Sequence, residues 1–281
     1  MFPRSVFEGL LDKPLVVDAN RGHGKSQLIK ALVAEALEQG YIVKVFDCVV
    51  NWYHDSPLLK RQLIRNPDQY TVIDNCVYEC GSLSQPQFRR FIASIIKHDY
   101  NERYEHKLVD PKYVDSTPRV LYIIEEANTV IKSQALNRKG WEADILNNFI
   151  SRGRNLGLDV IFIATRVGGE VSPGFRNRCD WILGRVSGKE EKTYVGKATD
   201  DDTLEIAKKL PKYKFVYYDG DTSEPFYLPE TIYHTPATVE PPPEPVIEEA
   251  VVIENKRGQQ IWPTILFILL CLIAWLYGRG G

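Results

Sequence analysis

The sequence predicts an α/β protein built on a sheet of mainly parallel strands flanked by helices, and three observations carry that prediction. Short apolar runs alternate with stretches of helical period through the first 235 of the 281 residues. One run leads through a glycine-rich loop containing a lysine directly into a helix. Another ends in two adjacent acids. With 44% hydrophobic and 11% aromatic residues, such a chain can bury a core. Its 35 basic and 37 acidic residues give a net charge of −2, which removes the signature of a uniformly basic nucleic-acid binder and leaves a local basic surface open.

Residues 15–18 read as the first strand. Residues 26–39 repeat Leu28, Ile29, Leu32, Val33, Ala36 and Leu37 at helical spacing and stop at Gly40, a C-cap residue. Further strands are expected at 42–46, 70–74, 120–124, 160–164 and 181–185, with helices at 86–97 and 142–155. The charged stretch 101–118 reads as an irregular surface insertion. Residues 214–218 and 224–228 read as short closing strands around the turn Asp219-Gly220-Asp221.

The five cysteines are odd in number and dispersed, which fits a reducing compartment rather than a disulfide framework. Cys76 and Cys80 lack nearby partners for zinc and read as a buried strand-turn pair. The N-terminus has no signal-peptide pattern, so the bulk of the chain is expected in the cytosol.

Composition changes after residue 235. Five prolines fall within 236–245 and five glutamates lie between residues 240 and 254, with no basic residue before Lys256, the pattern of an extended linker over 236–257. Residues 258–278 carry no charge. The apolar stretch 261–277 would be roughly 26 Å long as a helix, near the ~30 Å of a bilayer core. Trp262, Trp275 and Tyr277 flank it like interfacial belts. The division expected is therefore a domain at 1–235, a linker at 236–257 and one transmembrane helix with a short tail at 258–281. Lys256 and Arg257 place the large domain on the cytoplasmic side by the positive-inside tendency, with a virion membrane as the other setting.

The loop after residues 15–18 is Ala19, Asn20, Arg21, Gly22, His23, Gly24, Lys25, Ser26. It matches a Walker A loop, G-x-x-x-x-G-K-[ST], except that Ala19 stands where the first glycine belongs. Alanine fits if that position does not need positive φ. In such a loop the backbone amides wrap phosphate at a helix N-terminus, the lysine reaches the β- and γ-phosphates, and the hydroxyl ligates Mg²⁺. Residues 19–26 with Gln27 are thus the expected nucleotide site, with Lys25 reaching phosphate and Ser26 on the metal. His23, between two glycines, is expected to face solvent or line the nucleotide.

Residues 119–126, Arg-Val-Leu-Tyr-Ile-Ile-Glu-Glu, form a buried strand ending in two acids and resemble a Walker B strand. Glu125 would hold the Mg²⁺ shell and Glu126 would orient the attacking water. Residues 147–166 then run from a helix bearing Arg152 and Arg154 into an apolar strand ending in Thr165 and Arg166. Those last two sit where a γ-phosphate sensor belongs. Arg152 and Arg154 could reach a neighbouring subunit's nucleotide or form a basic surface patch.

The order of these motifs, with Glu125-Glu126-Ala127-Asn128, the R-G-R-x-x-G helix end and the A-T-R strand end, resembles the FtsK/HerA superfamily of P-loop ATPases over about residues 10–235. Its short single-domain form resembles genome-packaging ATPases of membrane-containing viruses and, less closely, Zot-type assembly proteins of filamentous phages. The resemblance implies a P-loop NTPase sheet of the additional-strand type, ATP and Mg²⁺ as cofactors, homo-oligomeric rings and ATP-driven DNA translocation. Portal, capsid or membrane proteins of a virion are then candidate partners. Many members carry Gln where this chain has Arg166. Arg176 and Arg178 could touch DNA or flank the following strand. Phage extrusion is the alternative role, although that class has a sizeable domain beyond its span. A nucleoside kinase lacks support from any arginine-rich lid, and a non-hydrolysing switch is opposed by the paired glutamates.

Overall fold

The computed structural model describes residues 4–48, 59–131, 139–164, 175 and 178–228. The linker at 236–257, the span at 258–281, and Thr165, Arg166 and Arg176 lie outside these residues. Among the described residues no helix is long and apolar enough to cross a membrane.

The chain opens with α1 (Arg4–Leu10), β1 (Leu15–Asp18), α2 (Lys25–Glu38) and β2 (Ile42–Asp47). It continues through β3 (Lys60–Leu63), β4 (Cys76–Glu79), α3 (Gln85–Val109), α4 (Tyr113–Ser116), β5 (Val120–Ile124) and α5 (Asn128–Ile131). Then come α6 (Trp141–Arg152), a 3₁₀ turn (Gly153–Leu156), β6 (Leu158–Ala164), β7 (Asp180–Leu183), α7 (Lys189–Ala198), α8 (Asp201–Lys209), β8 (Lys214–Tyr218) and β9 (Ser223–Tyr227).

The nine strands among the described residues join one sheet in the order β3-β4-β2-β5-β6-β1-β7-β8-β9. The seven from β3 to β7 pair in parallel, and β8 and β9 close the far edge antiparallel. The central strands are apolar on both faces, as a sheet covered on both sides must be. Alternate residues face opposite cores. Leu15 and Val17 pack with Val6, Phe7 and Leu10 of α1 and Leu28, Ile29 and Leu32 of α2. Val16, Phe46 and Tyr122 pack instead with Phe88, Phe91 and Ile95 of α3 and Leu146 and Phe149 of α6. Full burial of each such side chain contributes about 1.5–3 kcal/mol, so this three-layer sandwich is what holds the strand ends in register.

Residues 70–74 are not a strand. The backbone of Ile73 is satisfied by one side chain rather than a ladder: its N–H donates to Tyr78 Oη at 2.9 Å and its carbonyl accepts from the same hydroxyl at 3.1 Å. Asn75 then turns at φ 52 and its side chain accepts from the Val43 amide, so pairing resumes only at Cys76. Cys76 and Cys80 are both buried, the strand-turn pair expected. The stretch 101–118 is more regular than its charge suggests, because α3 runs on to Val109. Arg103 anchors that extension by donating to the Leu156 and Pro118 carbonyls. The segments 60–63, 189–198 and 201–209 were not expected as elements, and all three are regular.

Candidate nucleotide-binding site

Parallel strands deliver their C-terminal ends to one edge, and the sequence motifs meet there. Asp18 ends β1, the loop 19–24 turns outward, and α2 starts at Lys25. Gly22 and Gly24 hold φ of +79° and +104°, conformations that side chains rarely adopt. Ala19 has no positive φ, which is why alanine fits the first position of the loop. It is fully buried, and its methyl lies so close to Gly184 that a Cβ there would approach within 2.4 Å.

Strand β6 lies between β1 and β5, so the Walker A and Walker B strands are separated by one strand, the additional-strand arrangement that the resemblance implies. At the end of β5, the Glu125 amide donates to Phe46 O at 3.1 Å and the Ala127 amide to Ile163 O at 3.0 Å. These bonds tie the glutamate pair to the strands on either side. Glu126 between them adopts φ 50°, left-handed backbone that is strained for a residue other than glycine. Such strain persists where the surroundings over-determine it, commonly at functional sites.

A cleft of about 790 Å³ opens at this edge, lined by Asn20, Arg21, Gly22, Gly24, Lys25, Ser26 and Gln27 of the loop and by Glu125 and Glu126. Ile29, Ile163, Lys212 and Tyr213 complete it. The structure therefore brings Lys25, Ser26, Glu125 and Glu126 into one cavity. Burial lowers the Lys25 pKa, and Asp18, Glu191, Glu126 and Glu125 oppose that shift. The ammonium donates to the Ala19 carbonyl. A hydroxyl and a hard carboxylate are the donor types Mg²⁺ prefers, so Ser26 and Glu125 suit that ion.

His23 does not line the cleft. Its ring is buried with Nε2 2.8 Å from the Lys214 carbonyl, and it stands edge-on to Phe215 at 5.4 Å. A carbonyl only accepts, so Nε2 carries the proton. The side chain points inward because Gly184 leaves room: a Cβ there would lie 2.5 Å from His23 Cδ2.

Arg152 and Arg154 lie at the other end of the sheet. Arg154 donates to the Asp12 carbonyl, ahead of β1, while Asp18 and Glu125 mark the opposite strand ends. Neither arginine lines the cleft.

Sequence reasoning missed Asp18, Glu191, Lys212 and Tyr213. Asp18 is fully buried and its pKa is pushed up to about 7 by burial and by Glu191, with Lys25 and the Ala19 amide acting in the opposite direction. Glu191 was readable as the third helical residue after Gly188, a capping position. Its Oε2 accepts from the Ser187 and Gly188 amides at 3.3 Å each. Asn20 Nδ2 donates to Ser187 Oγ at 2.7 Å, so that same turn braces the loop. Tyr213 belongs to no motif.

No protein-family model and no curated protein matches the chain. Solved structures do match. The genome packaging NTPase B204 from Sulfolobus turreted icosahedral virus 2, in complex with ATP-gammaS, aligns at 18% identity over 78% of this chain and 98% of its own, with a TM-score of 0.56. VirB4 of Thermoanaerobacter pseudethanolicus aligns at 9% identity over 77% of this chain and 89% of its own, with a TM-score of 0.54. The pCW3 conjugation coupling protein TcpA aligns at 14% identity over 80% of this chain and 65% of its own, with a TM-score of 0.50. The likeness is one of fold: the chain is built as the genome packaging NTPase B204, VirB4 and TcpA are.

Proposed function

We propose that the chain is an ATP-hydrolysing motor that translocates DNA, packages a viral genome, and is held at a membrane through residues 261–277. The observation that carries this reading is the single cleft in which the loop lysine and serine meet two glutamates delivered by a strand two positions away in the sheet.

In this reading the amides at the start of α2 and the Lys25 ammonium hold the phosphates of ATP. Ser26 and Glu125 hold Mg²⁺, which would neutralise charge developing between the β- and γ-phosphates. Glu126, set apart by its left-handed backbone, orients the attacking water. Thr165 and Arg166 would follow directly from β6, the strand between the two motifs, as the γ-phosphate sensor. Because Arg152 and Arg154 lie away from their own cleft, their catalytic use requires a neighbouring subunit, and a ring supplies one. DNA contacts then need only a local basic cluster per subunit. Five of the 37 acidic residues and three of the 35 basic ones fall beyond residue 235, so the domain itself is neutral.

Packaging is preferred over extrusion because the packaging NTPase B204 aligns along nearly its whole length. The full chain in detergent should displace a triplex-forming strand from linear double-stranded DNA only when ATP is hydrolysed. ATP turnover without displacement would favour the extrusion role. Full solubility without detergent would contradict the membrane tether.

A further inference from the structure

One part of the cleft has no counterpart among the sequence motifs. Lys212 and Tyr213, in the short connection between α8 and β8, line it beside Gly24, Lys25 and Ser26. Tyr213 holds φ 65°, and among the described residues only Asn75 and Glu126 share such backbone without being glycine. Glu126 lines the same cleft.

Three hydrogen bonds fix this conformation. The Tyr213 amide donates to the His23 carbonyl at 3.1 Å, and the Leu228 amide donates to the Tyr213 carbonyl at 3.3 Å. His23 Nε2 donates to the Lys214 carbonyl at 2.8 Å. The tyrosine is thereby fastened to the phosphate-type loop itself. Its ring edge rests on Gly24, where an added Cβ would meet Cδ1 at 2.4 Å and Cε1 at 2.8 Å. The exposed Lys212 ammonium lies 4.6 Å from the ring centroid. Tyr213 is the one aromatic side chain among the described residues lining the cleft.

We propose that Tyr213 is the platform on which the nucleobase of the bound nucleotide stacks, the flexible Lys212 side chain leaving its place over the ring. This rests on the reading of the cleft as a nucleotide site. The loop amides, Lys25 and Ser26 take the phosphates, so the heterocycle must find its surface elsewhere in the same cavity. A ring already carrying a cation on its face offers that surface. Stacking accepts any base, because every base has a π-face. Purine triphosphates should accordingly bind with similar affinity.

The test uses the full chain in detergent and two probes, magnesium ATP and magnesium tripolyphosphate, titrated by calorimetry. Tyr213→Gly suits the left-handed backbone and removes the ring. It should weaken ATP by about tenfold or more while tripolyphosphate binding stays within about twofold. Tyr213→Phe should bind ATP as the natural chain does. Unchanged ATP affinity in Tyr213→Gly, or equal losses for both probes, overturns the platform. A natural chain that binds neither probe overturns the nucleotide-site reading itself.

Discussion

His23 donates to the Lys214 carbonyl at 2.8 Å, fastening the loop after β1 to the first of the two antiparallel strands at the sheet edge. A histidine in the middle of a glycine-rich loop invites a catalytic reading, but its position makes it a bolt. His23→Ala removes a buried hydrogen bond and the edge contact with Phe215, and should destabilise the domain by about 2 kcal/mol. Denaturant unfolding measures this.

The same burial lowers the His23 pKa from its ordinary 6.5, with Arg185, Lys25 and Lys212 adding to the shift and the bond to Lys214 opposing it. The sign follows directly. Below 6.5 the unfolded chain takes up a proton that the folded chain resists, so this stability is present above 6.5 and is lost as pH falls through the folded value. His23→Gln, which keeps a donor for Lys214, should flatten that part of the stability curve.

Asp18 titrates in the opposite sense. Its pKa rises from 3.8 to about 7 through burial first and Glu191 second. The folded chain keeps the proton while the unfolded chain releases it near 3.8, so stability falls as pH rises from about 4 to about 7. Above pH 7 the ionised carboxyl costs at most about 4 kcal/mol. Asp18→Asn should therefore raise the unfolding temperature at pH 8 and leave it nearly unchanged at pH 4, as calorimetry would record.

Much of this was legible in the sequence because the signals are local. The strand-loop-helix at residues 15–39 and the acid-tipped strand at 120–126 declare themselves through apolar runs and glycines, and both stand where expected. The strand at 70–74 failed because a side chain replaces its ladder, the Tyr78 hydroxyl taking over the backbone of Ile73. The inward turn of His23 depends on the absence of a side chain at Gly184, 161 positions along the chain, and no local pattern carries such information. Asp200, Asp201 and Asp202 opening α8, with Lys208 and Lys209 at its end, were a readable helix signal. Lys212 and Tyr213 gave none, because their role comes from where α8 and β8 leave them.

The arginines give a prediction about assembly. Arg154 is held at the Asp12 end of the sheet, so a catalytic contribution has to act between subunits. A chain carrying Arg152→Ala and Arg154→Ala should lose about a thousandfold in turnover and retain ATP binding. Mixing it with Lys25→Ala subunits should restore measurable hydrolysis, each variant supplying what the other lacks. Turnover of the double variant equal to that of the natural chain would assign these arginines to surface contacts.

On the proposed mechanism, Glu126→Gln removes the carboxylate that would orient water but leaves Lys25, Ser26 and Glu125 in place. It should bind ATP with unchanged affinity and hydrolyse it at least about a hundredfold more slowly. Filter-retained labelled nucleotide would show the trapped complex.

The central claim is that Lys25, Ser26, Glu125 and Glu126 form one hydrolytic site whose turnover is coupled to DNA. Steady-state phosphate release by the full chain, with and without linear double-stranded DNA and alongside Lys25→Ala, tests it most directly. The account predicts hydrolysis that DNA accelerates and that Lys25→Ala abolishes without lowering the unfolding temperature. Hydrolysis that survives in Lys25→Ala, or that is absent from the natural chain with DNA present, would contradict it.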